Sequence, residues 1–445
     1  MSAIVDTDVL IVGAGPSGAA LASFLGQNGM RGLVISKESH TAYTPRAHGF
    51  NPFALDEVLR LAIREPFILS SRFAKSLVGE EYGRISAWEE NPTSLIIQPD
   101  RALFPGVVAH LRAVRPWNEW VLAAFGPQGG NPFEGMTTQS LELVDLIRQL
   151  VGDDSLDVEI LTLDAWTVRE SVAETYSKDG QNLFLLGDAA HRHPPTFGLG
   201  SNTCIQDAYN LAWKVAYVSK GWAGPGLLSS YSQERQPIGA DLVRESNNHI
   251  RKNAELFPHA TPEGSTRRAD LHVALEEKKQ EFESLGLAHN HFYVSKAVYL
   301  DDEPSPRPEL QGDPVVEVQI STYPGSRLPH AWIDKPNRLG MISTLDLAGK
   351  GSFCLLVGVD GSEWRKAAEA VMTATGIPIK VFGIGPGQEY IDVYRRWYEK
   401  RGVSDSGCVL VRPDRFVAWR SVGQPADCEQ KLGDVLRSIL YRDEF

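Results

Sequence analysis

Residues 8–36 read DVLIVGAGPSGAALASFLGQNGMRGLVIS. The first five residues are apolar apart from the leading aspartate, and most of them are β-branched, which is typical of a parallel strand buried on both faces. A glycine-rich turn follows, then a helical segment with small residues at its start, then a second apolar run. This order predicts a βαβ unit of about 30 residues.

The glycine spacing in this unit is that of a dinucleotide-binding turn. Gly13 permits the tight turn, Gly15 lets the backbone approach a pyrophosphate, and Gly18 lets the helix pack close to the strand. The acidic residue that usually follows the second strand and holds a ribose is missing, because Ser36 stands in its place. Either the Ser36 hydroxyl binds the ribose or Glu38 reaches back to it.

Residues 183–207 read LFLLGDAAHRHPPTFGLGSNTCIQD. They predict a strand over 183–186, a carboxylate at its tip (Asp188), a rigid loop and a helix that starts near Asn202. Two prolines fix the course of the loop, two glycines allow close backbone approach, and the helix offers free N–H groups and a positive dipole end. Such a loop suits a planar, polar, partly anionic ligand. The alternative is an ordinary connection between a strand and a helix.

Composition bounds the class of protein and its partners. The chain has 445 residues, enough for two or three domains, and its net charge of -12 argues against nucleic acid or an anionic membrane as the main partner. A small molecule is therefore the more natural ligand than nucleic acid or a membrane surface. Four cysteines without CxxC spacing predict neither a zinc site nor a disulfide framework, so a reducing compartment is expected. Without an apolar span or a secretory signal, we expect a cytoplasmic location and no membrane partner.

The middle of the chain predicts a second structural layer. Three apolar runs at 94–99, 107–113 and 120–125 indicate strands of an antiparallel sheet. A helix is expected over 140–150 and another strand over 158–163. Residues 67–90 also approach a period of two, which suggests further strands.

Three side chains in the first part of the chain have two interpretations each. Trp117 and Trp120 either wall an aromatic pocket or belong to a core. Arg46, on a loop stiffened by Pro45, either contacts a cofactor or an anionic substrate or is a surface side chain.

The last part of the chain predicts a separate layer of helices and strands. Residues 231–256 form a long amphipathic helix that is rich in charge and expected on the surface. Residues 302–314 are polar and proline-rich, like a linker. Beyond them, apolar strands alternate with helices, which is the layout of a small α/β domain.

The chain resembles the FAD-dependent aromatic hydroxylases, that is the p-hydroxybenzoate hydroxylase-like flavoprotein monooxygenases, and within them the branch of phenol and 2,4-dichlorophenol hydroxylases. Six stretches carry the resemblance: GAGPSG at 13–18, TPRAH at 44–48, RPWNEW at 115–120, GDAAHRHPPTFGLGSNTCIQDAYNLAWK at 187–214, PGSRLPHAW through ISTLDL at 324–347, and RPDRFVAWR at 412–420.

The resemblance implies an α/β fold with three parts. A Rossmann-like FAD-binding domain would comprise residues 1–93 and 177–300, and a shortened antiparallel β substrate domain would be inserted at 94–176. A linker at 301–314 would lead to a thioredoxin-like α/β domain at 315–445, which would be structural because it has no CxxC.

It also implies an activity. In such enzymes NAD(P)H reduces FAD, and a flavin C4a-hydroperoxide formed with O2 hydroxylates a phenolic or aromatic small molecule. Aromatic degradation or secondary metabolism would be the setting, and a homodimer is one expected oligomeric state.

The resemblance assigns roles to particular residues. Gly13, Gly15 and Gly18 would bind the ADP part of FAD, and Asp188 a ribityl or ribose hydroxyl. The isoalloxazine side would be formed by Pro194, Gly198, Gly200 and Asn202, and the other cofactor contacts would be Ser36, Arg46, Gly187 and Ser201. The catalytic candidates are His193, as a partner of the phenol hydroxyl, and Arg46. The substrate candidates are Trp117 and Pro195, and no metal ligand is expected.

One departure from the family pattern stands out. The family's Asp-Gly motif should lie between the N-terminal unit and the antiparallel sheet, but the sequence runs directly from AWEENPTS to LIIQPD. The Asp-Gly pairs present, at 179–180 and 360–361, lie elsewhere. Three explanations stay open: a faulty gene model, a non-catalytic homologue that acts as a binding or interaction protein, or a shortened enzyme that binds FAD by its remaining motifs. A flavin-dependent dehydrogenase is a further alternative. A halogenase is disfavoured because no WxWxIP-like run follows the first motif.

Overall fold

The computed structural model describes residues 6–37, 39, 94–97, 108–115, 119–125, 131–151, 153–178, 180–256, 273, 276–277, 279–281, 283–336 and 340–444. Glu38, Arg46, Trp117 and the strands expected within 67–90 lie outside these residues. The chain divides into a main unit (Met1–Lys37, Arg169–Ala254, Ala269–Phe445) and a second unit (Glu38–Val168, Glu255–Arg268). The three-part domain division at 93, 176 and 300 stays a prediction.

The main unit begins with the predicted βαβ unit. Strand β1 (Val9–Val12) leads into helix α1 (Pro16–Gln27), and strand β2 (Gly32–Ile35) pairs with β1 in parallel. The Gly13 N–H donates to the Ile35 carbonyl at 2.8 Å, which closes the turn between the strands. Gly13 has φ +112°, a conformation that favours glycine. The βαβ prediction is therefore confirmed.

The burial predicted for these two strands is wrong. Leu10 is 56 % exposed and Val12 is 78 % exposed, whereas Ile11 between them is 6 % exposed. In the described part of the chain β1 and β2 form a two-stranded sheet. One face of β1 is buried and the other is open to solvent, since successive side chains point to opposite faces.

The second unit contains the predicted antiparallel sheet. Strands β3 (Ser94–Ile97), β4 (Val108–Arg115) and β5 (Glu119–Phe125) lie in that order, each antiparallel to its neighbour. Helix α2 (Leu141–Val151) matches the expected helix. Its Leu146 is 1 % exposed and packs against a small apolar cluster of Leu122, Ala124, Phe133 and Met136. The strand expected over 158–163 is wrong, because these residues form no helix or strand.

The main unit resumes with four two-residue strands in two antiparallel pairs, β6 with β9 and β7 with β8. They are β6 (Ser171–Val172), β7 (Ser177–Lys178), β8 (Leu183–Phe184) and β9 (His191–Arg192). The strand expected over 183–186 is therefore two residues long. Short 3₁₀ turns at Gly187–Ala189 and Thr196–Gly198 complete this segment.

Helices of the described residues follow this segment. Helix α3 (Gly200–Ser219) starts two residues earlier than predicted and is stopped by Gly221, which follows the C-cap and has φ +70° as expected of a C-terminal glycine. After a 3₁₀ turn at Pro225–Leu228 comes α4 (Ser229–Leu256), and a short helix α5 (Leu285–His289) lies farther on.

The surface position predicted for α4 is wrong. Glu234 is 1 % exposed and Arg235 is 0 % exposed, so this charged helix buries part of its charge. The reason is that each buried charge has a partner of opposite sign, which hydropathy alone does not reveal.

The C-terminal region alternates strands and helices as predicted. Its elements are β10 (Trp332–Asp334), β11 (Ile342–Ser343), β12 (Phe353–Val357), α6 (Ser362–Thr375), β13 (Ile379–Gly383), β14 (Ile391–Asp392), α7 (Arg396–Lys400), β15 (Cys408–Val411), β16 (Val417–Ser421) and α8 (Cys428–Ile439). The larger sheet has the order β13-β12-β15-β16, with β12 and β13 parallel and the other pairs antiparallel. A second sheet has the order β11-β10-β14.

The C-terminal region shares its largest core with α3. Trp213 and Tyr217 of α3 belong to the same buried cluster as Phe353, Trp364 and Trp419. The expected linker has no helix or strand but is tied to this region, since Asp302 accepts a hydrogen bond of 2.7 Å from Trp419 Nε1. Among the described helices, none combines the length and apolar character needed to cross a membrane.

Candidate functional site

The two sequence motifs meet at Gly187. A Cβ at this position would lie 2.6 Å from Ser17 Oγ and 2.7 Å from Cys204 Sγ, and Gly187 has φ +56°. Only glycine fits here, for both steric and backbone reasons. The first turn of α1, the Gly187 turn and the N-terminal end of α3, at Cys204, therefore pack at one place, and α1 and α3 pack against each other.

The helices α1 and α3 both begin without a side-chain cap. Gly15 precedes α1 and Leu199 precedes α3; neither helix has a capping side-chain hydrogen bond or an acidic residue in its first turn. Each start therefore offers backbone N–H groups and a positive dipole end to an anionic or electron-rich group. At Gly15 a Cβ would meet nothing within 4 Å, so the space beside this turn is open. These features fit a dinucleotide cofactor.

Asp188 lies on the 3₁₀ turn directly after Gly187. Its side chain is exposed, while its carbonyl accepts a hydrogen bond of 2.9 Å from Arg192 Nε. The carboxylate is thus directed to solvent from a fixed backbone and can accept hydrogen bonds from a polyol. This is the role that the sequence predicts for Asp188.

Asp207 of α3 is a residue of the site that sequence reasoning missed. Its Oδ2 accepts from the Gly187 N–H at 3.2 Å and is 2.9 Å from His191 Nε2, and its Oδ1 accepts from Arg235 Nε at 2.8 Å. The residue is fully buried. Burial alone would raise the pKa of Asp207, but the Arg235 charge and the His191 hydrogen bond lower it below its usual value. Asp207 is therefore a buried anion that binds the Gly187 turn.

His193 is half-buried at the start of the proline loop. Its Nδ1 is 2.6 Å from the Pro194 carbonyl, and because a carbonyl only accepts, Nδ1 carries the proton. Burial lowers the pKa of His193, which favours the neutral ring. Nε2 is then an acceptor, and it faces Gly200, where a Cβ would lie 3.5 Å away. Pro194 is buried and Pro195 is exposed.

The end of the loop has a strained residue. Phe197 has φ +64°, which is rare for a bulky side chain, and its ring lies 4.8 Å from that of His249. Asn202 Nδ2 donates to the Gly198 carbonyl at 2.8 Å, which fixes the backbone just before α3. Ser201 lies in the first turn of α3.

The structure thus brings most of the predicted cofactor residues to one region. Gly13 and Gly15 form the turn before α1, and Gly18 lies in its first turn. Residues 187–199 form the turn and loop that lead to Gly200, Ser201 and Asn202 in the first turn of α3. Ser36 directly follows β2. Arg46 and Trp117 lie outside the described residues, so their predicted roles stay untested. Within the described ranges, no group of three metal-ligating side chains occurs.

Family models match most of the chain. One described as "FAD binding domain" matches residues 6–65 and 80–246, and one described as "Aromatic-ring hydroxylase, C-terminal" matches residues 321–442.

Individual relatives match nearly end to end. Phenol 2-monooxygenase of Pseudomonas sp. (strain EST1001) is 31 % identical, over 97 % of this chain and 93 % of the relative. The 2,4-dichlorophenol 6-monooxygenase of Delftia acidovorans is 28 % identical, over 99 % and 98 %. The crystal structure of the flavin-dependent monooxygenase PieE with FAD and substrate is 25 % identical with a TM-score of 0.82, over 98 % of this chain and 99 % of that one.

The alignment with the Pseudomonas protein is longer than this chain. It runs over 571 positions, 126 more than the 445 residues present, so at least that many positions of the alignment have no residue here. This supports the prediction that an internal segment is missing. With a family model over more than half of its length and a relative 31 % identical nearly end to end, the chain belongs to the FAD-dependent aromatic-ring hydroxylases, a family of enzymes whose cofactor is FAD.

Proposed function

We propose that this protein is a monooxygenase that hydroxylates a phenolic or other aromatic small molecule with NAD(P)H and O2. The observation that carries the proposal is the packing at Gly187, where the starts of α1 and α3 meet the turn that presents Asp188. The names of the relatives, phenol and dichlorophenol monooxygenases, support the substrate class.

Three parts of the cofactor have a matching group in the chain. The turn at 13–18 and the N-terminus of α1 would bind the pyrophosphate, because both present backbone N–H groups. Asp188 would accept a hydrogen bond from a ribityl or ribose hydroxyl. The backbone at 198–202 and the N-terminus of α3 would lie beside the pyrimidine edge of the isoalloxazine, which gains negative charge on reduction.

His193 is our candidate for activating the substrate. When bound, FAD reduced by NAD(P)H supplies the transfer of one oxygen atom from O2 to an aromatic ring. The neutral His193 ring has an acceptor at Nε2, which can take a hydrogen bond or the proton from a phenol hydroxyl. A phenolate is richer in electrons than a phenol, so this contact would favour hydroxylation of the ring.

We also propose that the C-terminal region is a thioredoxin-like domain with a structural role. The order β12, α6, β13, β15, β16, α8 supports this, with only β12 and β13 parallel. Its cysteines Cys354, Cys408 and Cys428 are buried and unpaired in disulfides, so they do not suit thiol exchange. The substrate domain at 94–176, the homodimer and the cytoplasmic location remain predictions.

The test begins with the purified protein and its colour. We expect a yellow protein that binds FAD with a change in flavin fluorescence, and that consumes NAD(P)H and O2 faster when a phenol is added. Mass spectrometry should detect a product heavier by one oxygen atom. A protein that takes up no FAD at any concentration would contradict the proposal.

The second candidate function is a binding protein without catalysis. It is favoured by one observation, the alignment positions of the Pseudomonas relative that have no residue here. Tight FAD binding with no NAD(P)H oxidation above that of free FAD, and no hydroxylated product, would support this candidate, whereas tight binding with slow NAD(P)H oxidation would indicate a damaged enzyme.

A further inference from the structure

We propose that Asp207 is a positioning residue for the flavin site, which holds the turn that presents Asp188. The inference rests on the proposed function, because it assigns to Asp188 a contact with FAD. Asp207 itself is fully buried and is directed away from solvent, so it acts through the turn and not on the ligand.

The geometry is that of a clamp. Gly187 and His191 stand at the two ends of a five-residue turn, and Asp188 lies between them. One oxygen of Asp207, Oδ2, binds the Gly187 N–H at 3.2 Å and His191 Nε2 at 2.9 Å. Both ends of the turn are therefore fixed to the same atom of α3, and the course of the backbone at Asp188 is determined by that atom.

Arg235 of α4 fixes the clamp from the other side. Its Nε donates to Asp207 Oδ1 at 2.8 Å, and its Nη1 donates to the Tyr293 hydroxyl at 3.3 Å. Because the charge of Asp207 is paired within the protein, the carboxylate stays ionised and keeps both lone-pair directions of Oδ2 for the turn.

The substitution Asp207→Asn tests the clamp with little change in volume. The new amide oxygen can still accept from Arg235, but the amide nitrogen cannot accept from the Gly187 N–H. That N–H is buried and would lose its partner, so the turn is expected to shift. His191 can change tautomer and accept a hydrogen bond from the new amide nitrogen. The lost hydrogen bond is therefore only the one to the Gly187 N–H.

Glu234 offers a matched control. It is a buried carboxylate of α4 that accepts hydrogen bonds from Lys214, Arg412, Ser295 and Asn210, none of which belongs to the turn at 187–191. Glu234→Gln should therefore reduce thermal stability at least as much as Asp207→Asn. It should leave the position of Asp188 unchanged.

The experiment compares FAD with ADP, at a temperature where circular dichroism shows all variants folded. Asp207→Asn should raise the dissociation constant of FAD about tenfold, which is the effect of one lost hydrogen bond. The inhibition constant of ADP, measured by competition, should stay within about twofold of its wild-type value. ADP reports the 13–18 turn alone, so it separates a shifted Asp188 from general damage. Glu234→Gln should change neither constant by more than about twofold.

Several outcomes overturn the inference: unchanged FAD binding in Asp207→Asn, equal weakening of FAD and ADP, or the same pattern in Glu234→Gln. If Asp207→Asn does not fold, His191→Leu removes the other end of the clamp, and His191→Gln, which can still donate to Asp207, should restore FAD binding. No restoration would count against the clamp.

The inference can fail separately from the proposed function. If the wild-type protein takes up no FAD, the proposed function is wrong, and the clamp is then tested in the protein without ligand. There Asp207→Asn should speed hydrogen exchange of the Gly187 amide, and Glu234→Gln should not. Equal exchange in wild type and Asp207→Asn would overturn the clamp.

Discussion

At the scale of single residues, Gly18 shows how closely the first motif packs. A Cβ at Gly18 would overlap the carbonyl of Gly13, whereas a Cβ at Gly26, in the same helix, would meet nothing within 4 Å. We expect Gly18→Ala to open the turn before α1 and to abolish measurable binding of both FAD and ADP. The measurement is fluorescence titration of each ligand.

Gly26→Ala is the control within the same helix. Gly26 is exposed and has an ordinary helical backbone, so alanine should stabilise α1 by about 0.5–1 kcal/mol and leave both ligands bound. Binding retained by Gly18→Ala would show that the backbone relaxes around the new methyl group and that the spacing is not sterically required.

Single residues also show where sequence reasoning ends. Gly18 was predictable because its role follows from the spacing of three glycines in one stretch. Asp207 was not, since its partners Gly187 and Arg235 lie 20 and 28 positions away and nothing local distinguishes a buried aspartate from an exposed one. A buried ion pair depends on which helices pack together, and a hydrophobic pattern does not contain that information.

At the scale of elements, β1 has two faces with opposite environments. Val12 is 78 % exposed and Ile11 is 6 % exposed, although both are apolar. We expect Val12→Thr to change the free energy of unfolding by less than about 0.5 kcal/mol and to reduce binding of a hydrophobic dye, because it removes exposed apolar surface. Ile11→Thr should cost about 1–3 kcal/mol, since it places a hydroxyl in the core. If urea unfolding shows the same loss of unfolding free energy in Val12→Thr and Ile11→Thr, this assignment of the faces is wrong.

The buried charge of α4 predicts a pH dependence. Burial alone would raise the pKa of Glu234, but Arg412 and Lys214 lower it well below its usual value. The unfolded chain thus takes up this proton first, at a pH of about 4.3, so the stability due to Glu234 is present above that pH and is lost as the pH falls below it.

Glu234→Gln isolates this contribution. At neutral pH the variant should be less stable by about 3–5 kcal/mol, because two buried cations lose their shared anion. The difference in unfolding free energy between the variant and the wild type should become smaller as the pH is lowered from about 6.5 to about 3.5, the range in which carboxylates take up protons. Urea unfolding at each pH measures it. Arg244→Ala, which breaks an exposed pair on the same helix, is the control and should cost less than about 1 kcal/mol at either pH. A pH-independent difference for Glu234→Gln would contradict the ionised state.

Elements were predicted well where a local pattern suffices and poorly where pairing decides. The βαβ unit and the C-terminal strands matched within a few residues, because apolar runs and glycine stops define them. Residues 158–163 are also mostly apolar yet form no strand, and Leu161 is 66 % exposed. A strand requires a neighbour that accepts its hydrogen bonds, and an apolar run does not by itself provide one.

At the scale of the main unit, the FAD motifs and the C-terminal region are joined by one core. Trp213 of α3 is 2 % exposed, its ring centroid lies 6.1 Å from that of Phe353, and the Arg412 guanidinium lies 5.2 Å above its ring. Arg412 in turn binds Glu234 of α4. A chain with these contacts should unfold as one cooperative body, because neither side keeps its buried surface without the other.

This predicts that cofactor release and C-terminal unfolding have one midpoint. With 5-fluorotryptophan incorporated, the resonance of Trp419 should disappear at the same urea concentration at which FAD fluorescence appears. Trp213→Ala should lower both midpoints together, because it leaves a cavity in the shared core. The expected loss in the free energy of unfolding is about 3–5 kcal/mol. Trp332→Ala is the matched control, because Trp332 is 43 % exposed on β10. It should change the free energy of unfolding, calculated from either midpoint, by no more than about 1 kcal/mol. If Trp213→Ala releases FAD early while the Trp419 resonance keeps its wild-type midpoint, the C-terminal region unfolds independently and the shared core does not couple the two.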